Sequence, residues 1–277
     1  MRLHLVAFAL ASGFLALIAL PAHAGGGMLR LDKLLDQAER MVTDTALPIA
    51  KENQLGKKLA KETEKENKLH SSKEVQQYVA RVGKKVAREA KDTPKGIKYT
   101  FKVIDDDETV NAFALPGGHI YVYSGLLKLA SDEAELASVL GHEVAHVSQR
   151  HIAERLVAGV GLEKLIGIAA GKHQEDLAGL AGQLAGQGAM LSFGREQESD
   201  ADEHGLPYAV AAGYDPEGFV RLFGKLKKGE GPGFLVFLAS HPLPSERIED
   251  AQAQIAKMKD KKGKTNEAAY RKMLEQL

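Results

Sequence analysis

The sequence predicts an α+β domain that is mainly helical, with a small antiparallel sheet beside one central helix. Apolar residues recur at helical spacing over most of the chain and alternate only between about residues 98 and 123. The chain has 277 residues, of which 44% are hydrophobic and 27% are charged, so it is long enough to bury a substantial core. We therefore expect a globular protein rather than a disordered one.

Charge and cysteine content exclude several classes of partner and site. Lys+Arg and Asp+Glu each number 37, so the net charge does not indicate a polyanionic partner such as nucleic acid. No cysteine is present, which excludes a disulfide framework, a cysteine-linked lipid and a cysteine metal ligand. Any metal site must therefore use His, Asp and Glu side chains.

Residues 1–24 have the pattern of a secretory signal peptide. Arg2 precedes an apolar run that ends at the small-residue triplet Ala22-His23-Ala24. An uncleaved membrane anchor is the alternative, but the run is shorter than the ~20 residues that a spanning helix needs. We therefore expect cleavage after Ala24 and secretion of the mature chain.

Residues 25–70 are predicted to form a charged N-terminal helical segment, separate from a main domain over residues 71–277. Lys and Glu dominate this segment, and its apolar residues keep helical spacing. One or two surface helices are expected, with a break at Pro48 because proline cannot continue a helix. Charged runs of this kind are usually solvated, so no function is assigned to the segment.

The main domain is predicted to begin with a helix and then a sheet. Residues 71–74 resemble a capping box at the start of an amphipathic helix that ends near residue 94. Alternating residues then predict strands over 98–104 and 109–115, and a third strand from His119 after a Pro-Gly-Gly turn. The three strands are expected to pair antiparallel.

The central helix is predicted as one continuous element over residues 135–156, with an N-cap and acidic first-turn residues supplied by residues 131–133. Two Gly/Ala-rich apolar stretches follow between residues 156 and 193. Charged and amide residues interrupt both stretches, so close-packed helices of a soluble domain are predicted rather than a membrane hairpin. Further helices are predicted over 195–212, 216–228 and 245–258, and a Lys-rich one after Gly263.

The central helix carries the motif HEVAH at residues 142–146. Positions four apart on a helix differ by about 400°, so His142 and His146 lie on one face and can bind one ion. Imidazole ligands favour zinc, and a catalytic zinc keeps three protein ligands and one water. Glu143 lies about 100° from His142, where it can act on that water as a general base rather than bind the metal. The motif is short enough to arise by chance, so a third ligand is required.

The best third ligand lies in the acidic stretch SFGREQESDADEHG. Glu198 and Asp202 are four apart on a predicted helix, so both can face the two histidines. We expect Glu198 to be the third zinc ligand and Asp202 to hydrogen-bond the far ring nitrogen of a ligand histidine. The alternative is a solvated acidic helix face, because Glu196, Asp200 and Glu203 are acidic as well.

These motifs together resemble one family of zinc peptidases. HEVAH is followed by E-x-x-A-D-x-x-G from Glu198 and by HPLPSERI from His241, and it is preceded by NAFALPGG from Asn111. The combination resembles the gluzincin metallopeptidases, the family of the CaaX prenyl endopeptidase and the heat-shock protease HtpX, and is most similar to their soluble periplasmic branch. Matching elements run from about residue 71 to 252.

The resemblance implies a mainly helical, zincin-like metallopeptidase domain over residues 71–277 that binds one Zn²⁺ per chain. It implies His142, His146 and Glu198 as the ligands and Glu143 as the base. The implied substrates are polypeptides, among them misfolded or misassembled envelope proteins. Peripheral contact with a membrane is left open, and nucleic acid is not expected as a partner.

The other histidines differ in their distance from the expected ligand set. His151 lies half a turn from His142 if the helix continues, and His204 is turned away from Glu198, so both are expected at the surface. His119, at the start of a strand, is interpreted as structural or substrate-adjacent.

His241 lies in the Pro-flanked stretch SHPLP, and three roles are open for it. It could be a fourth ligand that displaces water, a donor to the transition state, or an ordinary loop histidine. Arg247 and His241 are the candidates for stabilising an oxyanion.

The mechanism predicted from these residues is peptide hydrolysis by a zinc-activated water whose proton Glu143 takes and passes to the leaving amine. The strand HIYVYS is expected to pair with an extended substrate. The rival is a zinc-stabilised, chaperone-like binding protein with a latent or plugged site, and a zinc hydrolase of a non-peptide bond is a more distant alternative. A glutamate beside three ligands favours the peptidase, because structural zinc sites are usually closed by four ligands.

Overall fold

Helices surround a three-stranded sheet in the part of the chain that the structure describes. This computed structural model describes residues 40–161, 165, 192–242, 245–259 and 262–277. The predicted signal peptide, the first part of the N-terminal segment and most of the two Gly/Ala-rich stretches lie outside those residues. The elements are α1 (Ile49–Glu66), α2 (Lys73–Ala87), β1 (Thr100–Ile104), β2 (Ala112–Leu115), β3 (His119–Tyr123), α3 (Ser124–Leu129), α4 (Glu133–Ser148), α5 (His151–Val160), α6 (Arg195–Ala211), α7 (Glu217–Lys227), α8 (Phe234–Ser240), α9 (Ser245–Lys257) and α10 (Glu267–Leu274).

Several helices begin at the proline or capping residue that the sequence predicted. Pro48 directly precedes α1, where its missing N–H costs no helical hydrogen bond. Ser72 caps α2 by accepting a hydrogen bond from the backbone N–H of Val75. Asp132 caps α4 in the same way, and its Oδ1 lies 2.9 Å from the backbone nitrogen of Glu135.

Helix α1 packs its apolar face on the sheet and on the turn before β3. Leu55 and Leu59 are buried in the same core as the rest of the described chain. Gly56 permits a close approach, because a Cβ there would lie 1.8 Å from the backbone oxygen of Pro116. The charged residues of α1 lie mainly on its outer side, with the exception of the buried Glu52, and a domain boundary at residue 70 stays a prediction.

The sheet has the order β1-β3-β2 and is mixed, so the expectation of a wholly antiparallel sheet was wrong. Strands β2 and β3 form an antiparallel hairpin across the turn Pro116–Gly118, whereas β1 pairs with β3 in parallel. Alternation in a sequence identifies a strand but not its partner or its direction. Because β3 is paired on both sides, it has no free edge, and the expected pairing of HIYVYS with a substrate is wrong as well.

Helix α4 is buried along its whole length and lies between the sheet and the later helices. It packs against α6 most closely where Gly141 meets Gly205. A Cβ on Gly205 would lie 2.7 Å from the backbone carbon of Gly141 and 2.8 Å from the backbone nitrogen of His142. Two glycines at one crossing thus bring the backbones of α4 and α6 into contact, which fixes how α6 faces the motif.

The helix predicted over residues 135–156 is two helices, which corrects that expectation. Helix α4 ends at Ser148, and Arg150 adopts a left-handed conformation with φ of 62° before α5 begins. The buried guanidinium of Arg150 holds this conformation, because its Nη2 donates to the backbone oxygen of Leu47 at 2.6 Å and to Oε2 of Glu52 at 2.7 Å. The chain therefore reverses after α4 and returns towards the motif.

Within the described residues, no helix combines the length and the apolar character needed to cross a membrane.

Candidate metal centre

Helices α4 and α6 bring His142, His146 and Glu198 to one point, as their spacing predicted. The Nε2 atoms of the two histidines are 3.0 Å apart. The carboxylate of Glu198 lies 3.5 Å from Nε2 of His142 and 3.4 Å from Nε2 of His146. All three side chains are buried, so the donor atoms face one another and not solvent.

His241 joins this group, so the structure does not place it as an ordinary loop histidine. It directly follows α8, and its ring is buried. Nδ1 lies 3.0 Å from Oε1 of Glu198 and 3.3 Å from Nε2 of His142. Its other ring nitrogen, Nε2, faces Glu143 at 3.5 Å.

The four side chains fit a zinc ion by their chemistry and by their spacing. Each offers one donor atom, and all of these atoms lie within 4.8 Å of one another. Zinc binds imidazole nitrogen at about 2.0 to 2.1 Å in a tetrahedron, whose edges are then roughly 3.3 to 3.4 Å. Five of the six pairs bring their facing atoms to 3.0 to 3.5 Å, close to such edges, with Glu198 presenting Oε2 to His142 and Oε1 to His146 and His241.

Glu143 stands beside this group with both carboxylate oxygens buried. Neither oxygen has a well-aligned hydrogen-bond partner among the described residues, although the backbone of Ala114 lies close to the carboxylate and Nε2 of His241 lies 3.5 Å from Oε1. Burial raises the pKa of Glu143 above its ordinary value, and the nearby His241 and His142 oppose that rise. A buried carboxylate with a raised pKa and no well-aligned donor is suited to accept and return a proton.

Asp202 and Arg247 form the outer side of the site. Asp202 Oδ1 lies 2.9 Å from Nδ1 of His142, the contact that the sequence predicted for it. Arg247 donates from Nε and Nη2 to Asp202 at 2.6 and 2.8 Å, and from Nη1 to Glu198 at 2.5 Å. The N–H groups of Arg247 therefore donate to these two carboxylates and do not point to a position where they could stabilise an oxyanion.

The electrostatics of the group follow from burial and from its own members. Burial opposes charge on His142, but the carboxylates of Glu198 and Asp202 outweigh it and raise the pKa of His142 to about 9. Burial and the charge of His142 hold the pKa of His146 well below its ordinary value. Burial also opposes charge on Glu198, yet His241 and His142 hold its pKa far below the usual range. A buried anionic carboxylate among imidazoles is a donor set typical of divalent zinc.

The structure corrects the expectation for His151, which is buried and lies beside the site. Its Nδ1 is 3.0 Å from Nδ1 of His146, because the helix ends at Ser148 and the half-turn calculation does not apply beyond it. His204 is partly exposed and outside the donor group, as expected. His119 contacts Oγ1 of Thr100 at 2.9 Å across the paired strands, which is a structural contact.

Two neighbours of the site were not predicted from the sequence. Phe193 stacks on the ring of His146, with centroids 3.8 Å apart and planes inclined by 16°. Gly141 allows the close approach of α6. A glycine directly before the motif was a usable signal for close packing, but a single phenylalanine between predicted helices carried none.

A buried three-histidine, one-glutamate group, with a second glutamate held free beside it on an HExxH helix, defines the site of a metallopeptidase. The model of peptidase family M48 matches residues 73–255. The chain belongs to this family of zinc metallopeptidases, which confirms the resemblance seen in its motifs and the assignment of zinc as the metal.

Several relatives share about a third of their aligned residues with the chain. It is 33% identical to the beta-barrel assembly-enhancing protease of Yersinia pestis over 66% of this chain and 39% of that protein. It is 30% identical to the protein of the same name from Escherichia coli K12 over 82% of this chain and 48% of that protein. It is 36% identical to the mitochondrial metalloendopeptidase OMA1 of Schizosaccharomyces pombe over 62% of this chain and 50% of that protein. The chain thus spans half the length or less of these relatives.

Proposed function

We propose that the chain is a zinc-dependent endopeptidase that hydrolyses peptide bonds. One observation carries the proposal: the free, buried carboxylate of Glu143 lies beside the donor group of His142, His146, Glu198 and His241. A site that served stability alone would have no use for a base in that position. Membership of the M48 family supports the same function.

His142, His146 and Glu198 are proposed to hold the zinc ion, one per chain. When bound there, zinc supplies Lewis acidity, which polarises a carbonyl oxygen and makes water more acidic. Glu143 takes a proton from the attacking water and passes it to the nitrogen of the leaving amine. Its raised pKa brings it closer to the operating pH, which favours both transfers.

Asp202 and Arg247 are proposed to position the ligands. Asp202 accepts the Nδ1 proton of His142 and so turns the lone pair of Nε2 towards the metal. Arg247 bridges Asp202 and Glu198 and holds both carboxylates in place.

His241 is proposed to close the resting site as a fourth ligand. Its Nδ1 takes a place among the donors at the separations given above, and a fourth protein ligand occupies the position that water needs. The same observation favours the second candidate function, a zinc-stabilised binding protein whose site is permanently closed. The peptidase and the binding protein differ in one respect: removal of the His241 imidazole should increase hydrolysis only in the peptidase.

The test of the proposed function is Glu143→Gln in the purified chain. The variant should keep about one zinc per chain, measured by elemental analysis, and lose casein hydrolysis by a factor of about 10² to 10⁴, the usual contribution of a general base. Glu203→Gln, at an exposed position of α6, is the matched control and should behave as wild type. Hydrolysis by Glu143→Gln at the wild-type rate would refute the assignment.

The substrates are proposed to be misfolded or misassembled envelope proteins, and the location the periplasm. The name of the two bacterial relatives, beta-barrel assembly-enhancing protease, supports this setting, as does the signal-peptide pattern of residues 1–24. A pulse-chase experiment in the source cell should show an unassembled envelope protein persisting longer when Glu143→Gln replaces the wild type. Equal turnover in the two strains would argue against this substrate class.

Peripheral membrane contact is proposed to use a groove of about 630 Å³ between α2 and the segment before α10. Its charged lining consists of five basic residues, Arg81, Lys84, Lys85, Arg88 and Lys264, and of Glu133, which pairs with Arg81. Anionic headgroups attract such clusters by about 1 kcal/mol for each Lys or Arg near the surface. Vesicles of anionic phosphatidylglycerol should sediment the wild type more than a variant with Lys84→Glu and Arg88→Glu. Equal sedimentation would exclude the contact.

A further inference from the structure

The ring of His151 contacts the Nδ1 side of His146, away from the donor group. His151 is the first residue of α5, its ring is buried, and its Nδ1 lies 3.0 Å from Nδ1 of His146. The other nitrogen of His146, Nε2, faces His142 and Glu198. A hydrogen bond between His151 and Nδ1 of His146 therefore determines whether Nε2 carries a proton or offers a lone pair to the metal site.

Two facing imidazole nitrogens form a hydrogen bond only if one of them carries a proton and the other does not. A neutral imidazole has one N–H, so His146 has two arrangements. In one, Nδ1 carries the proton and Nε2 offers a lone pair to a metal. In the other, Nε2 carries the proton and cannot ligate.

Asp200 selects between the two arrangements. Its Oδ2 is buried and receives no well-aligned hydrogen bond from a described residue, and Nε2 of His151 lies 3.1 Å from it. A carboxylate cannot donate, and its negative charge at 3.1 Å favours a proton on Nε2 of His151 even though the contact is not well aligned. Nδ1 of His151 is then an acceptor, and the proton shared with His146 belongs to His146.

We propose that His151 and Asp200 are positioning residues that hold His146 with its Nε2 lone pair directed at the metal. The proposal rests on the proposed function only in taking His146 as a ligand. It gives both motif histidines a carboxylate behind the ring, directly for His142 through Asp202 and through one further imidazole for His146. Such outer partners fix ring orientation and raise ligand basicity.

The backbone conformation between α4 and α5 brings His151 into contact with His146. The left-handed Arg150 turns the chain back between α4 and α5, so that His151 lies five residues after His146 and still reaches its ring. Asp200 lies between Glu198 and Asp202 in α6, so one helix supplies a carboxylate to each part of the site.

The experiment compares His151→Leu with His151→Asn. Asparagine places its side-chain oxygen where Nδ1 of the imidazole lies, so it can still accept the proton of His146, whereas leucine cannot. Zinc affinity, measured by competition with a chromogenic chelator, should fall about 10- to 100-fold in His151→Leu. His151→Asn should recover most of that loss, and the visible spectrum of bound Co²⁺ should shift in the leucine variant alone.

A second pair of variants covers the case in which His151→Leu fails to fold. Asp200→Ala should weaken zinc binding, whereas His204→Ala should leave it unchanged, because His204 contacts Asp200 but not His146. Wild-type zinc affinity and Co²⁺ spectrum in His151→Leu would overturn the proposal. Equal loss in the leucine and asparagine variants would also overturn it, since the role would then be one of packing. Both readouts use metal binding, so loss of the proposed peptidase function would leave them interpretable.

Discussion

As the proposed fourth ligand, His241 would compete with water for one position on the metal. Removing its imidazole in His241→Ala should raise peptidase activity or self-cleavage several-fold, because the fourth position opens, and should weaken zinc binding by about 10-fold or more. Casein hydrolysis and chelator competition measure the two effects. Lys68→Ala, on the surface ion pair with Asp105, is the control and should change neither.

Two other outcomes for His241→Ala would contradict closure of the site. Loss of activity with zinc retained would make His241 a transition-state donor that faces Glu143. No change in peptidase activity or zinc affinity would mean that the contact of His241 with Glu198 contributes to neither.

The residues of the site differ in how far their positions followed from the sequence. His142, His146, Glu198 and Asp202 were placed because a spacing of four on a helix has a fixed geometric meaning. His241 has no such periodic partner, and its contacts arise from a loop that only tertiary packing can locate.

His151 was misplaced for a different physical reason. The break at Arg150 carries no glycine or proline, and a non-glycine residue with positive φ is uncommon. The local sequence does not predict that break, because the conformation of Arg150 is stabilised by Glu52 and by the backbone of Leu47, which are distant in sequence.

The crossing of α4 and α6 is the element on which the site most depends. In Gly205→Ala, the new Cβ would meet backbone atoms of Gly141 and His142 that cannot move alone, so the helices must separate. We expect a loss of about 1 to 3 kcal/mol in the free energy of unfolding, together with weaker zinc binding. Urea denaturation and chelator competition measure these.

Gly224→Ala is the matched control for that substitution. Gly224 also lies inside a helix, α7, but a Cβ there meets nothing within 4 Å. Its free energy of unfolding should stay level or rise by up to about 1 kcal/mol, because alanine favours the helix. Equal effects in the two glycine variants would show that helix propensity, not the crossing, determines them.

The start of α4 contains a buried carboxylate whose contribution to stability depends on pH. Glu133 accepts hydrogen bonds from Arg81, Tyr214 and Asn266, and it also contacts Tyr78. Burial opposes its charge, but these donors lower its pKa below the ordinary 4.5. The stabilisation is therefore fully present above pH 4.5 and disappears as the pH falls through the lower, folded-state pKa.

Glu133→Gln tests this dependence. The difference in free energy of unfolding between wild type and variant should be constant from about pH 6 to pH 8 and should shrink as the pH falls below 4.5. Urea titrations at a series of pH values measure it, and exposed Glu203→Gln should show a difference near zero throughout. A difference that grows on acidification would contradict the assignment.

At the level of elements, periodicity located the helices better than the pairing of strands. Helices α6, α7 and α9 begin and end within about two residues of their predicted bounds, because caps and apolar spacing act locally. The partner of β1 depends on where the chain crosses the sheet, which is not a local property. Helix α8 was missed because its seven residues are too short to establish a helical period.

For the whole molecule, removal of zinc should lower thermal stability. Three segments of chain meet at the donor group, and metal binding is coupled to folding. Zinc at about 100 times its Kd stabilises by roughly 2.7 kcal/mol, which for a chain of this size corresponds to about 5 °C in Tm. Calorimetry with and without EDTA measures the shift.

Two controls separate this effect from a general action of the chelator. Zinc added back should restore the Tm, and Glu198→Ala should show no shift with EDTA because it lacks a ligand. An unchanged Tm in the wild type would mean that the donor group contributes nothing to folding.

The donor group also determines the stage of folding at which a long-range constraint on the chain can form. The chain has no cysteine, yet this contact joins positions 99 residues apart, as a disulfide could. A disulfide restricts the unfolded chain from the moment it forms, whereas a coordinated metal holds only segments that have already met. A bound metal should therefore tighten the final stage of folding, and the stability of the folded protein should depend on metal supply and not on the redox state of its surroundings.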